Sequence, residues 1–322
     1  MYQKGIFNLS QLLSVLEKNG GEKNQPIAID LYAQINELEP RQQGLAEEII
    51  LENFSFSDGA YKKTHAGRFD DFDEKILAYL EKNLAQDRPY KIHDMAISDG
   101  RTSYDFFLKL EKKFPTIDFC ASDKNMLVDV FPGVKNKTRK IVTEAGGKIL
   151  QIIFPPFVLN IYSSKRALAF KIKKALFCPV SFILAQFFLV PLFRNILIKI
   201  DADKKQTITL VKKQVLDLAK TKSNFHLLGY DIMEKGFGEF EIIRAMNILN
   251  PTYFSSAEAK KIMANIFSSL KEGGLFIVGS NTNAASPVNG DLLVKRSGRL
   301  ESLIKFGGGA PYREIILSTK AA

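Results

Sequence analysis

The chain has 322 residues, of which 46% are hydrophobic and 25% charged, and a formal net charge of +10. That length and apolar content suit one large domain with a smaller one and exclude a disordered or fibrous chain. The 2 cysteines, Cys120 and Cys178, lie in apolar runs without CxxC spacing, and the 3 histidines, His65, His93 and His226, lack ligand spacing. Neither a disulfide framework nor a metal site is expected, and the thiols suit a reducing compartment.

Residues 1–89 read as a polar helical region. Apolar residues recur at helical spacing in 11–16, 47–51 and 73–84, separated by Gly20-Gly21 and Ser57-Asp58-Gly59. The first segment carries Glu17 close behind it and has no long apolar core, so it reads as a short amphipathic helix and not as a signal peptide. The region is expected to cap the rest of the chain, with Tyr61, His65 and Arg68 as the loop residues within reach of a ligand.

A strand is predicted over 91–97, where Ile92, Met95, Ala96 and Ile97 are apolar, and a helix over 102–113. Ser98-Asp99-Gly100 between them forces a sharp bend. A helix beginning there aims unpaired N–H groups over the strand end, and small residues let a ligand approach the backbone. Ala96, Ser98 and Gly100 fall at the alternate positions where nucleotide sites place Gly-x-Gly-x-Gly, with two of the glycines replaced. The next strand, 117–122, ends in Asp123, at the distance where such sheets place an acid for ribose hydroxyls. The plainer reading of the same residues is a tight strand-to-helix turn with a surface aspartate.

Residues 130–206 form an insertion between the second and third strands of this pattern. It opens with a predicted hairpin, 139–143 and 148–154 around Gly146-Gly147, and holds two apolar runs, 150–162 and 175–193. The second run has no charged residue and raises the question of a membrane span. A single span cannot return the chain to the sheet it left, and the first run is broken by Pro155-Pro156. Residues 134–222 hold 18 Lys and Arg against 4 Asp and Glu, so the remainder of the chain is net acidic. Basic and apolar residues interleaved in this way suit the surface of an anionic bilayer, and an uncharged run of that length argues against nucleic acid. A buried lid is the competing reading of the same segment.

Strand and helix alternate again from residue 224. Strands are expected at 225–229, 239–245 and 274–279, with a helix at 257–270 stopped by Lys271-Glu272-Gly273-Gly274. Asn250-Pro251-Thr252-Tyr253 reads as a turn leading to an N-cap at Ser255 or Ser256. Segments 292–295, 299–306 and 312–317 are expected as closely spaced strands, with Gly307-Gly308-Gly309 as a hairpin connection, giving the sheet an antiparallel edge.

From Tyr90 to the end, less residues 130–206, the chain resembles class I S-adenosylmethionine-dependent methyltransferases. The likeness rests on Asp94, Ala96, Ser98 and Gly100 in the first turn, Asp123 and Asp231 after the second and third strands, Arg244–Asn247 after the fourth, and the KEGGLFIVGSN run. Within the class, the turn AISDGRTSY and the strand exit FEIIRAMNIL are similar to those of chemotaxis-receptor methyltransferases. The expected fold is α/β, a Rossmann-like mostly parallel sheet with an antiparallel C-terminal strand. Residues 1–89 would be the helical cap, and 90–322 the methyltransferase-like domain with its apolar basic insertion at 130–206.

The resemblance implies S-adenosyl-L-methionine as cofactor and no metal. Ala96, Ser98 and Gly100, with Asp99 in the same turn, would pass under its methionine part. Asp94 would orient the amino group, Asp123 would accept from the ribose hydroxyls, and Asp231 with Ile232 would sit at the adenine edge. Arg244, Ala245 and Asn247 would line the floor near the sulfonium, and Asn247 and Tyr253 are the candidates for a catalytic role. The implied activity is methyl transfer to an unidentified small-molecule or lipid-like acceptor by a cytoplasmic chain, with peripheral contact at the inner face of the membrane through 130–206. The alternative on the same fold is a cofactor-binding or membrane-docking module without catalysis. A nicotinamide-dependent oxidoreductase is argued against by the missing glycines and the antiparallel edge.

Overall fold

A computed structural model describes residues 4–17, 25–58, 62, 64, 67–162, 200–283 and 286–320. The elements begin with α1 (Leu9–Glu17), a 3-10 helix (Ile29–Glu37), α2 (Pro40–Glu52), α3 (Asp70–Asn83), β1 (Tyr90–Met95), α4 (Arg101–Glu111) and β2 (Ile117–Asp123). Next come β3 (Leu127–Pro132), β4 (Lys140–Glu144), β5 (Ile149–Phe154), β6 (Phe157–Asn160), β7 (Gln206–Thr209), α5 (Lys213–Thr221) and β8 (Phe225–Gly229). The chain closes with β9 (Phe240–Met246), α6 (Ser256–Ser269), β10 (Leu270–Ser280), β11 (Asn289–Arg296), β12 (Arg299–Phe306) and α7 (Arg313–Ser318). These elements form two units, one of Met1–Lys63 with Asn125–Leu210 and the other of Thr64–Lys124 with Val211–Ala322.

The first unit is an antiparallel five-stranded sheet in the order β6-β5-β4-β3-β7. Val128, Val130, Val142, Leu150, Ile153 and Ile208 pack with Leu12, Ile29, Ile35, Ile50 and Phe54 of the helical segments into one core. Gln151 is buried there with its amide fully used: Oε1 accepts from the Ile29 N–H at 2.9 Å, and Nε2 donates to Ile27 O at 2.8 Å and Asn160 Oδ1 at 2.6 Å. A buried amide so satisfied avoids the penalty of an unpaired polar group and fixes residues 27–29 against the sheet. The predicted hairpin is β4 and β5. The first apolar run, 150–162, is spent on β5 and β6, and the uncharged run at 175–193 lies outside the described residues. Tyr61 and His65 also lie outside them.

The second unit carries a seven-stranded sheet in the order β12-β11-β10-β9-β1-β2-β8. Strands β8, β2, β1, β9 and β10 are parallel, and β11 and β12 add an antiparallel hairpin at the edge, as the sequence predicts. Helix α4 forms because Thr102, Ser103, Phe106, Phe107 and Leu110 recur at helical spacing and bury one face on the sheet. Phe107, Phe119 and Phe225 meet beneath it, the last two stacked at 5.5 Å and 8°. Helix α6 starts at a reciprocal cap between Ser255 and Glu258, which settles the N-cap and makes Asn250–Tyr253 a turn.

Three expectations change. Helix α3, expected within the cap region, belongs to the second unit, where Phe72, Asp73, Ile76, Leu77 and Leu80 are buried. Residues 312–317, expected as a strand, are helix α7, and Gly307–Gly309 is a turn into it and not a hairpin. The cause is Asp291, buried in β11, whose carboxylate accepts from the Ala310 N–H at 2.7 Å and Arg313 Nε at 2.9 Å and draws the chain back after β12. Helix α5 and strands β3, β6 and β7 are additions to the predicted elements.

Candidate functional site

Chain order places the site in the second unit. From β1 the chain proceeds outward through β2 to β8 and then returns to the other side of β1 as β9. Such a reversal opens a crevice beyond the carboxyl ends of β1 and β9, the place where open α/β sheets take ligands.

The turn leaving β1 fills that place. Ala96, Ser98 and Gly100 have φ of 57°, 59° and 81°, so all three alternate positions are left-handed although two are not glycine. The Ile97 N–H donates to Ser122 O at 3.1 Å and the Ser98 N–H to Asp123 Oδ2 at 2.8 Å, which closes the turn on the end of β2. Asp99 is buried; its Oδ1 accepts from the Arg101 N–H at 3.1 Å at the head of α4, and its carbonyl from Lys212 at 2.9 Å. A side chain at Gly100 would run into Val215 and Val211. The three small residues and Asp123 are thus brought together as the sequence spacing predicts.

Asp94 and Arg244 are placed differently from the roles implied for them. Each is 1% exposed, and they face one another across β1 and β9, with Arg244 Nη1 donating to Asp94 Oδ2 at 2.8 Å. Arg244 Nη2 reaches Asp73 of α3 at 3.1 Å to both carboxylate oxygens, and the guanidinium lies over the Phe106 ring at 4.6 Å. Burial pushes the Asp94 carboxyl up against the opposing pull of Arg244 and Ser103, and pushes Asp73 up to about 6 against the pull of Arg244. Burial alone would lower Arg244, yet the two carboxylates hold it above its ordinary value. This is an ion triad under the turn, with neither Asp94 nor Arg244 turned to a ligand.

Asp73 of α3 is the member of the triad that lies outside the expected site residues. Its signal was an acid on the apolar stripe of α3, in register with Ile76, Leu77 and Leu80.

The remaining expected residues lie within β9 or follow β8 and β9. Asp231 follows β8, accepts from the Met233 N–H at 2.9 Å and pairs with Lys124 at 2.8 Å; Ile232 is buried beside it. Ala245 is buried within β9. Asn247, with φ of 59°, joins β9 to β10: its N–H donates to Gly279 O, and its amide exchanges hydrogen bonds of 2.8 and 3.0 Å with Asn281. Arg68 Nε donates to Asn281 Oδ1 at 2.8 Å. Tyr253 stands 61% exposed.

His93 lies on the other sheet face among Tyr230, Phe237 and Phe240, with Nε2 2.7 Å from Ser122 Oγ and its pKa driven down to about 3 by burial. Burial pushes the Cys120 thiol up to about 12, the value of an inert core thiol. Among the described residues no cluster of His, Cys, Asp or Glu could hold a metal, and no helix is long and apolar enough to cross a membrane.

No protein-family model matches the sequence, and no curated protein matches it. Similar solved structures include an O-methyltransferase family protein from Burkholderia thailandensis, 8% identical over 84% of this chain and 50% of that one, with a TM-score of 0.29. The N-methyltransferase NodS from Bradyrhizobium japonicum, solved with S-adenosyl-L-homocysteine, is 11% identical over 72% of each chain, with a TM-score of 0.31. CalS10, an amino pentose methyltransferase from Micromonospora echinaspora solved with S-adenosylmethionine, is 10% identical over 71% of this chain and 59% of its own, with a TM-score of 0.30. The chain spans half the length of the first of these structures.

Proposed function

We propose that the second unit binds S-adenosylmethionine over the carboxyl ends of β1 and β9 and transfers its methyl group to a small-molecule or lipid-like acceptor. The observation that carries this reading is the left-handed backbone at Ala96, Ser98 and Gly100, closed on Asp123 at the switch point of the sheet. Left-handed geometry disfavours a non-glycine residue by roughly 1–2 kcal/mol, and such strain is concentrated at ligand sites. The alternation keeps the turn low over the strand end, where a ligand can lie against the main chain.

The residues fit an adenosyl cofactor in part. The turn offers its backbone to the methionine portion, Asp123 stands beside it for the ribose, and Asp231 with Ile232 lies beyond β8 for the adenine. Asp94 and Arg244 are engaged with each other and with Asp73, so in this reading they position the turn from beneath. The cofactor would supply an electrophilic methyl group on a sulfonium. The chain supplies orientation: the Asn247–Asn281 pair fixes the rim of the acceptor side, and Tyr253 stands at the open side near it. Methyl transfer of this kind is accelerated chiefly by alignment.

The likeness to chemotaxis-receptor methyltransferases concerns the turn and the exit of β9 and does not carry their acceptor with it. The lipid-like acceptor and peripheral membrane contact rest on the local basicity of residues 134–222, which would draw the chain to an anionic surface. Titration calorimetry with S-adenosylhomocysteine tests the cofactor. The full chain is expected to bind it, and Asp123→Ala to bind roughly tenfold or more weakly, since two charge-assisted hydrogen bonds would be lost. No heat and no thermal stabilisation in the unmutated chain would sink the proposal.

A further inference from the structure

We infer that one end of the first unit's sheet, made by the β3–β4 and β5–β6 turns, docks on a bilayer of anionic lipid, with Val134 and Phe157 entering the headgroup layer. This rests on the membrane-contact reading and names the surface that makes the contact. Strands β3 and β4 meet at Pro132 and Lys140, and Lys140 stands in turn opposite Ile153 of β5, so the two turns lie side by side at the same end of the sheet. The Arg139 guanidinium joins them, 4.1 Å from the centre of the Phe154 ring.

Both turns are ordered by hydrogen bonds. In the first, the Gly133 N–H donates to Arg139 O at 2.8 Å and the Arg139 N–H to Asn136 O at 3.1 Å, while Asn136 Oδ1 accepts from the Thr138 N–H at 3.0 Å and its hydroxyl at 2.7 Å. In the second, the Gly5 N–H donates to Pro156 O at 3.0 Å and Lys4 bridges to Phe157. The tips are thus held in one shape.

They present apolar surface and unpaired cations. Val134 is 51% exposed and Phe157 36%, and Pro156 is exposed beside Phe157. Lys4, Lys135 and Lys137 are exposed around them, and among the described residues none of the three has a carboxylate within ion-pair distance. Two acids at this end are already engaged, Asp30 with Lys140 and Asp201 with Lys204, and the Asp201 N–H donates to Pro132 O. An isolated exposed valine is ordinary surface, and lysines in a turn are usually only solvated. Gathered on two ordered turns at one end of a sheet, they suit a lipid interface, where ammonium groups meet anionic headgroups and short apolar side chains pass between them. A nucleic acid is met by stacking faces and hydrogen-bonding side chains, whereas the tips here carry Val134 and Pro156.

The chain has no tryptophan, so Val134→Trp places a single reporter at the tip. With vesicles of phosphatidylserine and phosphatidylcholine its emission is expected to shift to the blue and to be quenched by brominated acyl chains; with phosphatidylcholine alone it should do neither. Lys135→Glu combined with Lys137→Glu should weaken partition of the full chain onto the anionic vesicles by roughly tenfold or more, read by flotation, with the thermal midpoint unchanged. If the unmutated chain floats while the reporter stays unshifted, or while the charge-reversed chain floats equally, the inference is overturned and membrane contact belongs elsewhere on the chain. An unmutated chain that does not float ends both readings. The same blue shift with an oligonucleotide in place of vesicles would overturn the inference by assigning the surface to nucleic acid. Should the charge-reversed chain fail to fold, the reporter decides alone.

Discussion

A Cβ at Gly100 would stand 3.0 Å from Val215 Cγ1 and 3.2 Å from Val211 Cγ1, on a backbone whose φ is 81°. Gly100→Ala therefore meets two penalties, left-handed strain of roughly 1–2 kcal/mol and crowding of a packed valine pair of similar size. Urea denaturation should show a loss of about 2–4 kcal/mol on that arithmetic. Ala96 sits in the same backbone region with φ of 57° but already carries its methyl. Ala96→Gly relieves strain while adding freedom to the unfolded chain, so its stability should change by under about 1 kcal/mol. A loss in Ala96→Gly as large as in Gly100→Ala would show that the turn is not left-handed at both positions. The alternation of small residues was legible in the sequence because a sharp strand-to-helix turn leaves few side chains that fit. The fate of Arg244 was not, because an arginine following an apolar strand reads as a rim residue until its two carboxylates are found 150 and 171 positions away.

Helix α3 is tied to the sheet by an unusual device, the Asp73 carboxylate on its apolar face, gripped by Arg244 of β9. Asp73 is pushed up to about 6 by burial, above the value near 3.9 of an unfolded chain. The folded state thus binds this proton more readily, and the contribution of Asp73 to stability is full below about pH 4 and lost as pH rises through about 6. His93 works in the opposite sense, since burial holds it neutral down to about 3 and its contribution is lost as pH falls below the unfolded value near 6.5. Comparison with Asp73→Asn cancels the His93 part. Raising the pH from 4 to 7 should reduce the stability of the unmutated chain relative to Asp73→Asn by up to about 3 kcal/mol, read from urea midpoints. Parallel pH profiles for the two proteins would show that burial does not raise the Asp73 carboxyl. Elements with a long one-sided pattern, such as α4, α6 and the buried parallel strands, were legible. Helix α7 was not: Ile315, Ile316 and Leu317 form a short apolar run that suits a strand equally well, and its helical state depends on Asp291 and Arg313.

At the scale of the molecule, each unit has its own core. The cluster around Ile29, Val128 and Leu150 lies wholly in the first unit, and that around Ile243, Ile262 and Phe276 wholly in the second. The sequence pattern located an insertion, but it could not show that residues 125–210 share a core with residues 4–58, because a pattern records periodicity and not partners. The chain leaves the second unit after Lys124 and re-enters it at Val211. Those crossings run side by side, since Leu127 pairs with Thr209 and the Leu210 N–H donates to Met126 O at 2.8 Å. Ends so close can be joined by a few glycine and serine residues at little loop entropy. A chain of residues 64–124 linked in this way to 211–322 retains all seven strands and the candidate site. It is expected to melt cooperatively and to bind S-adenosylhomocysteine. The same splice removes most of the basic stretch, so the full chain should float with phosphatidylserine vesicles, less so as salt rises, and the spliced chain should not. Equal flotation of the two would exclude residues 125–210 as the membrane-contact element, and a spliced chain that fails to fold would show that the second unit needs the first.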